Sequence, residues 1–311
     1  MREKEFDPVT EGYLDYTEGV KKLTHRTITD MRCSYRKVRE YTEERHPDKE
    51  IWQLTLQEYI RWVGEERNRG KRAGSLNKQL CHIRGLLEYA WRSGRLDRNV
   101  LEGFILKDAH QRKPPRVLTE QEAEDLIQES GGGTPAKRRS RLLVLLCYGC
   151  GLRTSEVAHL NVQDIDREKR EIVIMQGKGG KERQLPVPEG VWTELMAYLA
   201  DRGGKRGPLF KTAIKKKRIS TREINETIKG LGEQAGIEQK VTPMVLRHSF
   251  ATHLMDAGVD IGIISKLMGH RGPRETGIYL HALERNKRES ISHIYEEDIT
   301  TKEEHNEMGS E

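Results

Sequence analysis

Apolar side chains recur three or four positions apart through the first hundred residues of this chain. Between residues 27 and 44 the pattern falls on Ile28, Met31, Tyr35, Val38 and Tyr41. The same spacing continues through Leu56–Glu66 and Ser75–Trp91. A period near 3.6 residues places these side chains on one face of a helix, and Thr55 and Ser75 suit the N-cap positions. Because no stretch alternates as a half-buried strand would, residues 1–107 are predicted to form a helical domain.

A polar break separates this domain from the rest of the chain. Residues 108–116 read DAHQRKPPR, in which two prolines and several charges favour an extended linker over a helix. Thr119 and Glu122 then form the pattern of a capping box, which predicts the start of a new helix. We therefore predict a linker over 108–116, a second domain over 117–298 and an acidic disordered tail over 299–311.

The second domain is predicted to be helical with one β-hairpin. Two short runs, Glu171–Met175 and Gln184–Val187, flank a glycine-rich turn over 177–181. Helices are predicted over Arg138–Leu146, Trp192–Leu199, Thr221–Ala235, Pro243–Asp256, Ile261–Leu267 and Glu275–Arg285. The predicted fold class is mainly α with a small β-hairpin or sheet, in two domains.

Charge distribution narrows the possible partners. The 311 residues carry a net charge of +6, and one third of them are charged. Seven acidic residues and one lysine follow Tyr295, so the preceding residues carry about +12. The strong positive charge of these residues favours nucleic acid as a partner. No apolar run approaches the length of a membrane span, the N-terminus lacks a secretory segment, and four scattered cysteines form no disulfide framework, so we expect a cytoplasmic protein without a membrane partner.

Several classes of enzyme are disfavoured by the motifs that the sequence lacks. It contains no phosphate-binding GxxxxGK[ST] loop, no HExxH and no carboxylate cluster suited to magnesium. Cys147 and Cys150 form a single CxxC at the end of an apolar run, which is more typical of core residues than of a metal site. We expect no cofactor and no metal.

Four arginine, lysine and histidine side chains and one tyrosine stand in distinctive settings. They are Arg153 after an apolar helix, Lys178 in the hairpin turn, Arg247 in LRHSFATHL, His270 past a helix end, and Tyr279. Two guanidinium groups can neutralise phosphate oxygens, and a histidine adds another donor. A lysine can protonate a leaving alkoxide, and a tyrosine can attack phosphorus. This set suits the chemistry of a phosphodiester.

These motifs resemble those of the tyrosine recombinases, also called the phage integrase family. GLRTSE at 151–156, GKGGKER at 177–183, LRHSFATHL at 246–254 and LMGH at 267–270, nine residues before Tyr279, are similar to the family's boxes in the family's order. The layout is most similar to the Xer-like or integron-like branch. The resemblance implies that Arg153, Lys178, Arg247, His270 and Tyr279 are catalytic, and that residues 1–107 are a core-type DNA-binding domain.

The resemblance also implies the reaction. Tyr279 would break DNA through a 3′-phosphotyrosyl intermediate, without a cofactor, and strands would exchange through a Holliday junction. The partners would be double-stranded DNA with paired recombination sites and further copies of the chain, as a tetramer on DNA.

One position departs from the family pattern. The second arginine box usually reads His-x-x-Arg, whereas this chain has Met244 three residues before Arg247. A methionine neither donates a strong hydrogen bond nor accepts the proton of Tyr279. One alternative is therefore a non-catalytic DNA-binding protein weakened by Met244. A second alternative, which shares the chemistry, is a type IB-like topoisomerase. A basic run, Lys215–Arg218, either contacts phosphate or is a solvated loop.

Overall fold

The protein, seen here in a computed structural model, divides into two compact units, Met1–Arg112 and Lys113–Glu311. The structure describes residues 6–107, 116–175, 182–212 and 217–269. Helices dominate both units, and one small sheet lies in the second. The predicted fold class, mainly α with a small sheet, is confirmed. No helix in the four described ranges is long and apolar enough to cross a membrane.

The described residues of the first unit, 6–107, form four α-helices and a short 3-10 helix. Their bounds are α1 Pro8–Gly19, α2 His25–Arg45, the 3-10 helix Ile51–Gln53, α3 Leu56–Asn68 and α4 Ala73–Arg92. Tyr35 and Val38 of α2 are fully buried, as are Leu80, Ile83 and Leu87 of α4. Since each buried aliphatic side chain contributes roughly 1.5–3 kcal/mol, the seam between α2 and α4 is the main source of stability in this unit.

The helix starts of this unit test the predicted caps. The Thr55 hydroxyl accepts the N–H of Glu58 in a capping box, so the cap predicted for α3 is confirmed. The cap predicted at Ser75 is wrong, because α4 begins at Ala73 and the N–H of Ser75 already bonds to the carbonyl of Arg72. Helix α1 was not predicted, although Asp7 caps it.

The described part of the second unit contains seven α-helices and a three-stranded sheet. Their bounds are α5 Glu120–Glu129, α6 Pro135–Tyr148, α7 Thr154–His159, β1 Ile165–Asp166, β2 Glu171–Met175, β3 Glu182–Pro186, α8 Glu189–Arg202, α9 Thr221–Gln234, α10 Pro243–Asp256 and α11 Ile261–Met268. A 3-10 turn, Val162–Asp164, precedes β1. The predicted capping box at Thr119 is present and opens α5.

Helix α6 is the centre of this unit. Its residues from Leu142 to Cys147 are buried on every side, as expected of a helix that is apolar all round. It contacts α5, α7, α8, α9 and α10. The elements that carry Arg153 and Arg247, α7 and α10, are thus both fixed against the same helix.

The sheet contains the predicted hairpin and one further strand. Strands β2 and β3 pair antiparallel, with Ile172 opposite Leu185 and Met175 opposite Glu182. Ile172, Ile174 and Leu185 face the core. Strand β1 adds two residues at the other edge of β2. The hairpin turn with Lys178 lies outside the described residues, as do His270, Tyr279, the predicted helix Glu275–Arg285 and the tail.

Candidate active site

Arg153 occupies the N-cap of α7. Its backbone N–H donates to Oε2 of Glu156 at 2.8 Å, and its Nη1 donates to Oε1 of the same carboxylate at 3.0 Å. Its Nη2 donates to the carbonyl of Gly269 at 3.0 Å. The side chain keeps 31% of its surface exposed, so the guanidinium is held in place yet accessible to solvent.

The turn before Arg153 depends on a glycine. Gly151 has a φ of +61°, in the left-handed region that favours glycine. A Cβ at this position would lie 2.5 Å from Cδ1 of Phe250 on α10. The chain therefore passes close to α10 before it enters α7, which brings the two arginine-bearing helices together.

Arg247 lies on the buried face of α10. Its Nη1 donates to the carbonyl of Gly151, and its Nη2 donates to the carbonyl of Met268 at 2.7 Å. Thr242 caps α10, and Pro243 stands in its first turn, so the start of this helix is well defined. Arg247 thus links the turn before Arg153 to the end of α11.

The two arginines converge on consecutive carbonyls at the C-terminus of α11. Arg247 binds that of Met268 and Arg153 binds that of Gly269. The last carbonyls of a helix lack partners within the helix and carry partial negative charge, so they attract cations. Gly269 adopts a left-handed cap conformation. The next residue in the chain is His270, so the predicted arginines meet directly before the predicted histidine.

Sequence reasoning missed Arg183, a third arginine in this cluster. Arg183 of β3 donates from Nη1 and Nη2 to Oε1 and Oε2 of Glu156, at 2.8 and 2.9 Å. Burial by itself raises the pKa of Glu156, but the hydrogen bonds and charge of Arg183, followed by those of Arg153, outweigh it and hold that pKa below its ordinary value. The ionised carboxylate joins α7 to β3. Arg183 ends the predicted GKGGKER box, yet the sequence gives it no partner.

The family follows from comparison with known proteins. The chain matches the phage integrase family over residues 116–286, more than half of its length. It belongs to this family. It is 40% identical to tyrosine recombinase XerA of Pyrococcus furiosus over 179 residues, which span 57% of this chain and 61% of that relative. It is 37% identical to tyrosine recombinase XerA of Thermococcus kodakarensis over 238 residues, 72% of this chain and 80% of the relative.

A solved structure supports the same fold. The crystal structure of the XerH site-specific recombinase, in a post-cleavage complex with its palindromic difH substrate, has a TM-score of 0.71 and 20% identity, covering 87% of this chain and 80% of that chain. Together, the comparisons confirm the predicted family, fold class and enzyme class. The curated relatives of this chain are named tyrosine recombinases, and it spans 61% of the first of them and 80% of the second.

The family's usual histidine position is occupied here by an exposed methionine. Met244 lies in the first turn of α10 with 52% of its surface exposed. One turn later is His248, which is half-buried; burial and then the charge of Arg247 lower its pKa, so the imidazole is neutral at neutral pH. At position 244 the chain thus has a thioether, where members of the family usually have the imidazole of a histidine.

Other residues singled out from the sequence have structural roles. Burial raises the pKa of both the Cys147 and Cys150 thiols to about 12, as expected of core residues. His253 donates from Nε2 to the Leu118 carbonyl, and its Nδ1 forms a hydrogen bond with the Tyr148 hydroxyl. Across the four described ranges, no group of three or more histidine, cysteine or acidic side chains is placed to hold a metal.

The basic run Lys215–Arg218 is partly described. Arg218 donates from Nη1 to the carbonyls of Ala158 and Leu160 and from Nη2 to Oδ1 of Asn161. Its guanidinium therefore fixes the C-terminal end of α7. The phosphate contact considered for this run does not suit Arg218, while Lys215 lies outside the described residues.

Proposed function

We propose that Arg153, Lys178, Arg247, His270 and Tyr279 form one catalytic centre that breaks and rejoins DNA. The observation that carries this proposal is the convergence of Arg153 and Arg247 on the carbonyls of Met268 and Gly269. Two cations from separate helices meet there, directly before His270. Arg183 adds β3, the strand that follows the turn with Lys178, to the same cluster.

Each residue has a defined role in the proposed reaction. The hydroxyl of Tyr279 releases its proton to solvent as its oxygen attacks the scissile phosphorus, and the bond from phosphorus to the 5′-oxygen breaks. The product is a 3′-phosphotyrosyl bond and a free 5′-hydroxyl, with Lys178 giving its proton to the leaving oxygen. Arg153, Arg247 and His270 stabilise the charge that develops on the other phosphoryl oxygens.

The same bond explains how the ends are rejoined. Because the phosphotyrosyl ester retains the energy of the broken phosphodiester, a 5′-hydroxyl can attack it and release Tyr279. No nucleotide hydrolysis is needed in this scheme. Attack by the 5′-hydroxyl of a partner duplex exchanges strands and gives a Holliday junction.

The proposed partners are DNA and further copies of the chain. The XerH relative of known structure is bound to its palindromic substrate. We expect the helical domain over 1–107, the linker over 108–116 and the catalytic domain over 117–298 to engage double-stranded DNA with paired sites. Four protomers would act together, and most of the affinity would be phosphate-driven and salt-sensitive.

Trapping on a suicide substrate tests the proposal. A nicked DNA loses the short fragment that carries the 5′-hydroxyl, so the covalent complex accumulates and can be counted by denaturing electrophoresis. DNA that flanks the gene supplies the candidate sites. We expect a covalent complex with the wild-type chain and none with Tyr279→Phe, which lacks only the nucleophilic oxygen.

Two outcomes would contradict the proposal. DNA binding by the wild-type chain without any covalent complex would favour a non-catalytic binding protein. A covalent complex combined with supercoil relaxation that is independent of site, without strand exchange, would favour the topoisomerase.

A further inference from the structure

Arg183 lies where three elements of the candidate site meet. It is the second residue of β3 and follows Lys178 by five positions. Its guanidinium binds Glu156 on α7 through both carboxylate oxygens. Only 9% of its side-chain surface is exposed, so it is part of the interior of the site.

The same guanidinium occupies the space beside the Cα of Gly269. A Cβ at Gly269 would lie 2.5 Å from Nη1 of Arg183 and 2.8 Å from its Cζ. These distances are closer than any real side chain tolerates, so the backbone of Gly269 is in direct contact with Arg183. Since the carbonyl of Gly269 accepts from Arg153, both arginines contact the same residue.

Arg183 and Arg153 contribute unequally to the neutralisation of Glu156. Glu156 is a nearly buried carboxylate, and its Oε1 accepts from Arg183 at 2.8 Å and from Arg153 at 3.0 Å. Arg183 binds both oxygens in parallel, which is the strongest geometry for an arginine and a carboxylate. Arg153 uses one Nη for the carboxylate and the other for Gly269. Arg183 therefore carries most of the neutralisation of Glu156.

Without Arg183, Arg153 would be the cation that neutralises Glu156. A buried carboxylate without its bidentate partner attracts the remaining cation more strongly, because little water is present to screen it. The guanidinium of Arg153 would then be drawn to Glu156, in competition with a DNA phosphate for the same donors.

We propose that Arg183 is a positioning residue, which neutralises Glu156 so that the Arg153 guanidinium stays directed at Gly269 and the scissile phosphate. The proposal rests on the function proposed above, in which Arg153 contacts the phosphate. Stability is a weaker explanation for Arg183. Relative to a pair of apolar residues of similar volume, a buried ion pair adds little net stability, and the buried Nε of Arg183 has no hydrogen-bond partner among the described residues.

The test measures single-turnover cleavage of the suicide substrate by four variants. These are Arg183→Met, Glu156→Gln, the double variant, and Arg170→Met as a control. Arg170 also pairs with a glutamate beside the same sheet, but this pair is exposed to solvent. We expect Arg183→Met to cleave roughly thirtyfold more slowly, as for a lost charge-assisted bond. The double variant should recover to within about threefold of Glu156→Gln alone, because no charge then competes for Arg153.

The pH profile separates positioning from a merely structural role. Without Arg183, only Arg153 offsets the effect of burial, so the pKa of Glu156 rises. Lowering the pH through that raised pKa neutralises Glu156 and imitates the Gln substitution. The deficit of Arg183→Met relative to wild type should therefore shrink as the pH falls, whereas the deficit of the double variant should not change with pH.

Three results would overturn the proposal. They are cleavage by folded Arg183→Met at the wild-type rate, a double variant whose loss equals the product of the single losses, and a deficit that is independent of pH. Folding is checked by a cooperative melting transition that lies well above the assay temperature, because the loss of one partner of a buried ion pair is by itself strongly destabilising. If Arg183→Met does not fold, Arg183→Lys retains the charge without the fork and should show a smaller deficit that does not change with pH. Wild-type trapping in the same experiment reports on the proposed function independently.

Discussion

Arg84 in the first unit and Arg247 in the second make the same kind of contact. Arg84 of α4 donates to the carbonyls of Leu101 and Phe104, and Arg247 donates to those of Gly151 and Met268. Each guanidinium thereby fixes a segment distant in sequence. The contacts of Arg84 hold a loop at the end of a helical core, while those of Arg247 adjoin the cluster of Arg153, Glu156 and Arg183. Hydrogen bonds from an arginine to backbone carbonyls therefore do not by themselves identify an active site. The two regions differ in the charged side chains that lie beside these bonds.

The largest expected effect on cleavage comes from replacing Arg247 by lysine. Lysine retains the charge but loses the planar fork that reaches two acceptors. Arg247→Lys should lower the rate of covalent-complex formation by roughly a hundredfold or more, the effect of losing one donor to a developing oxyanion. Single-turnover cleavage at saturating protein measures this rate.

Arg84→Lys is the matched control. It should lower the melting temperature, because the loop at Leu101–Phe104 loses its anchor, and leave the cleavage rate of the folded protein unchanged. Equal losses of cleavage in the two variants would remove the distinction between the regions.

A smaller effect is expected from alanine at two glycines. Gly269 and Gly258 both have positive φ, +62° and +80°, so alanine strains both by roughly 1 kcal/mol. A Cβ at Gly258 meets nothing within 4 Å, whereas one at Gly269 meets Arg183. Gly269→Ala should therefore slow cleavage roughly tenfold through displacement of Arg183, and Gly258→Ala should only lower the melting temperature. Similar cleavage rates for the two would argue against a role for the Arg183 contact.

The smallest expected effect is at Met244. Because this side chain is exposed at the start of α10, a histidine there fits without repacking. Met244→His should leave cleavage unchanged or raise it by up to roughly tenfold, by supplying a hydrogen-bond donor and a proton acceptor. Met244→Gln separates the two contributions, since an amide can donate to the phosphate but cannot take the proton. A large loss of cleavage by folded Met244→His would show this idea to be wrong.

Helical periodicity predicted most of the fold, and its failures have physical causes. Helix α1 was not predicted because three of its buried positions carry polar side chains, Thr10, Glu11 and Thr17, which interrupt the apolar pattern. Arg32 of α2 neutralises the buried Glu11. The signal that could have found it is Asp7 followed by Pro8, a cap and a first-turn proline. Strand β1 has only two residues, too few for an alternating pattern.

The site was predictable where motifs are local in sequence. Arg153 and Arg247 stand in recognisable boxes, and the structure brings them together. The ion pair between Glu156 and Arg183 joins positions 27 residues apart in the sequence. Neither the helical nor the strand period relates a carboxylate on a helix to an arginine on a strand. Such a pair becomes visible only when tertiary packing excludes water from both groups.

The burial of the α6 thiols has a practical consequence. Cys33 and Cys81 are exposed on the first unit, while Cys147 and Cys150 lie in the interior of the second. Alkylating reagents act on the thiolate, so they should modify the first pair in the folded protein and reach the second pair only when α6 is uncovered. The number of alkylated thiols per chain should therefore rise from two to four when the second unit unfolds. Counting them by mass spectrometry reports whether that unit is folded.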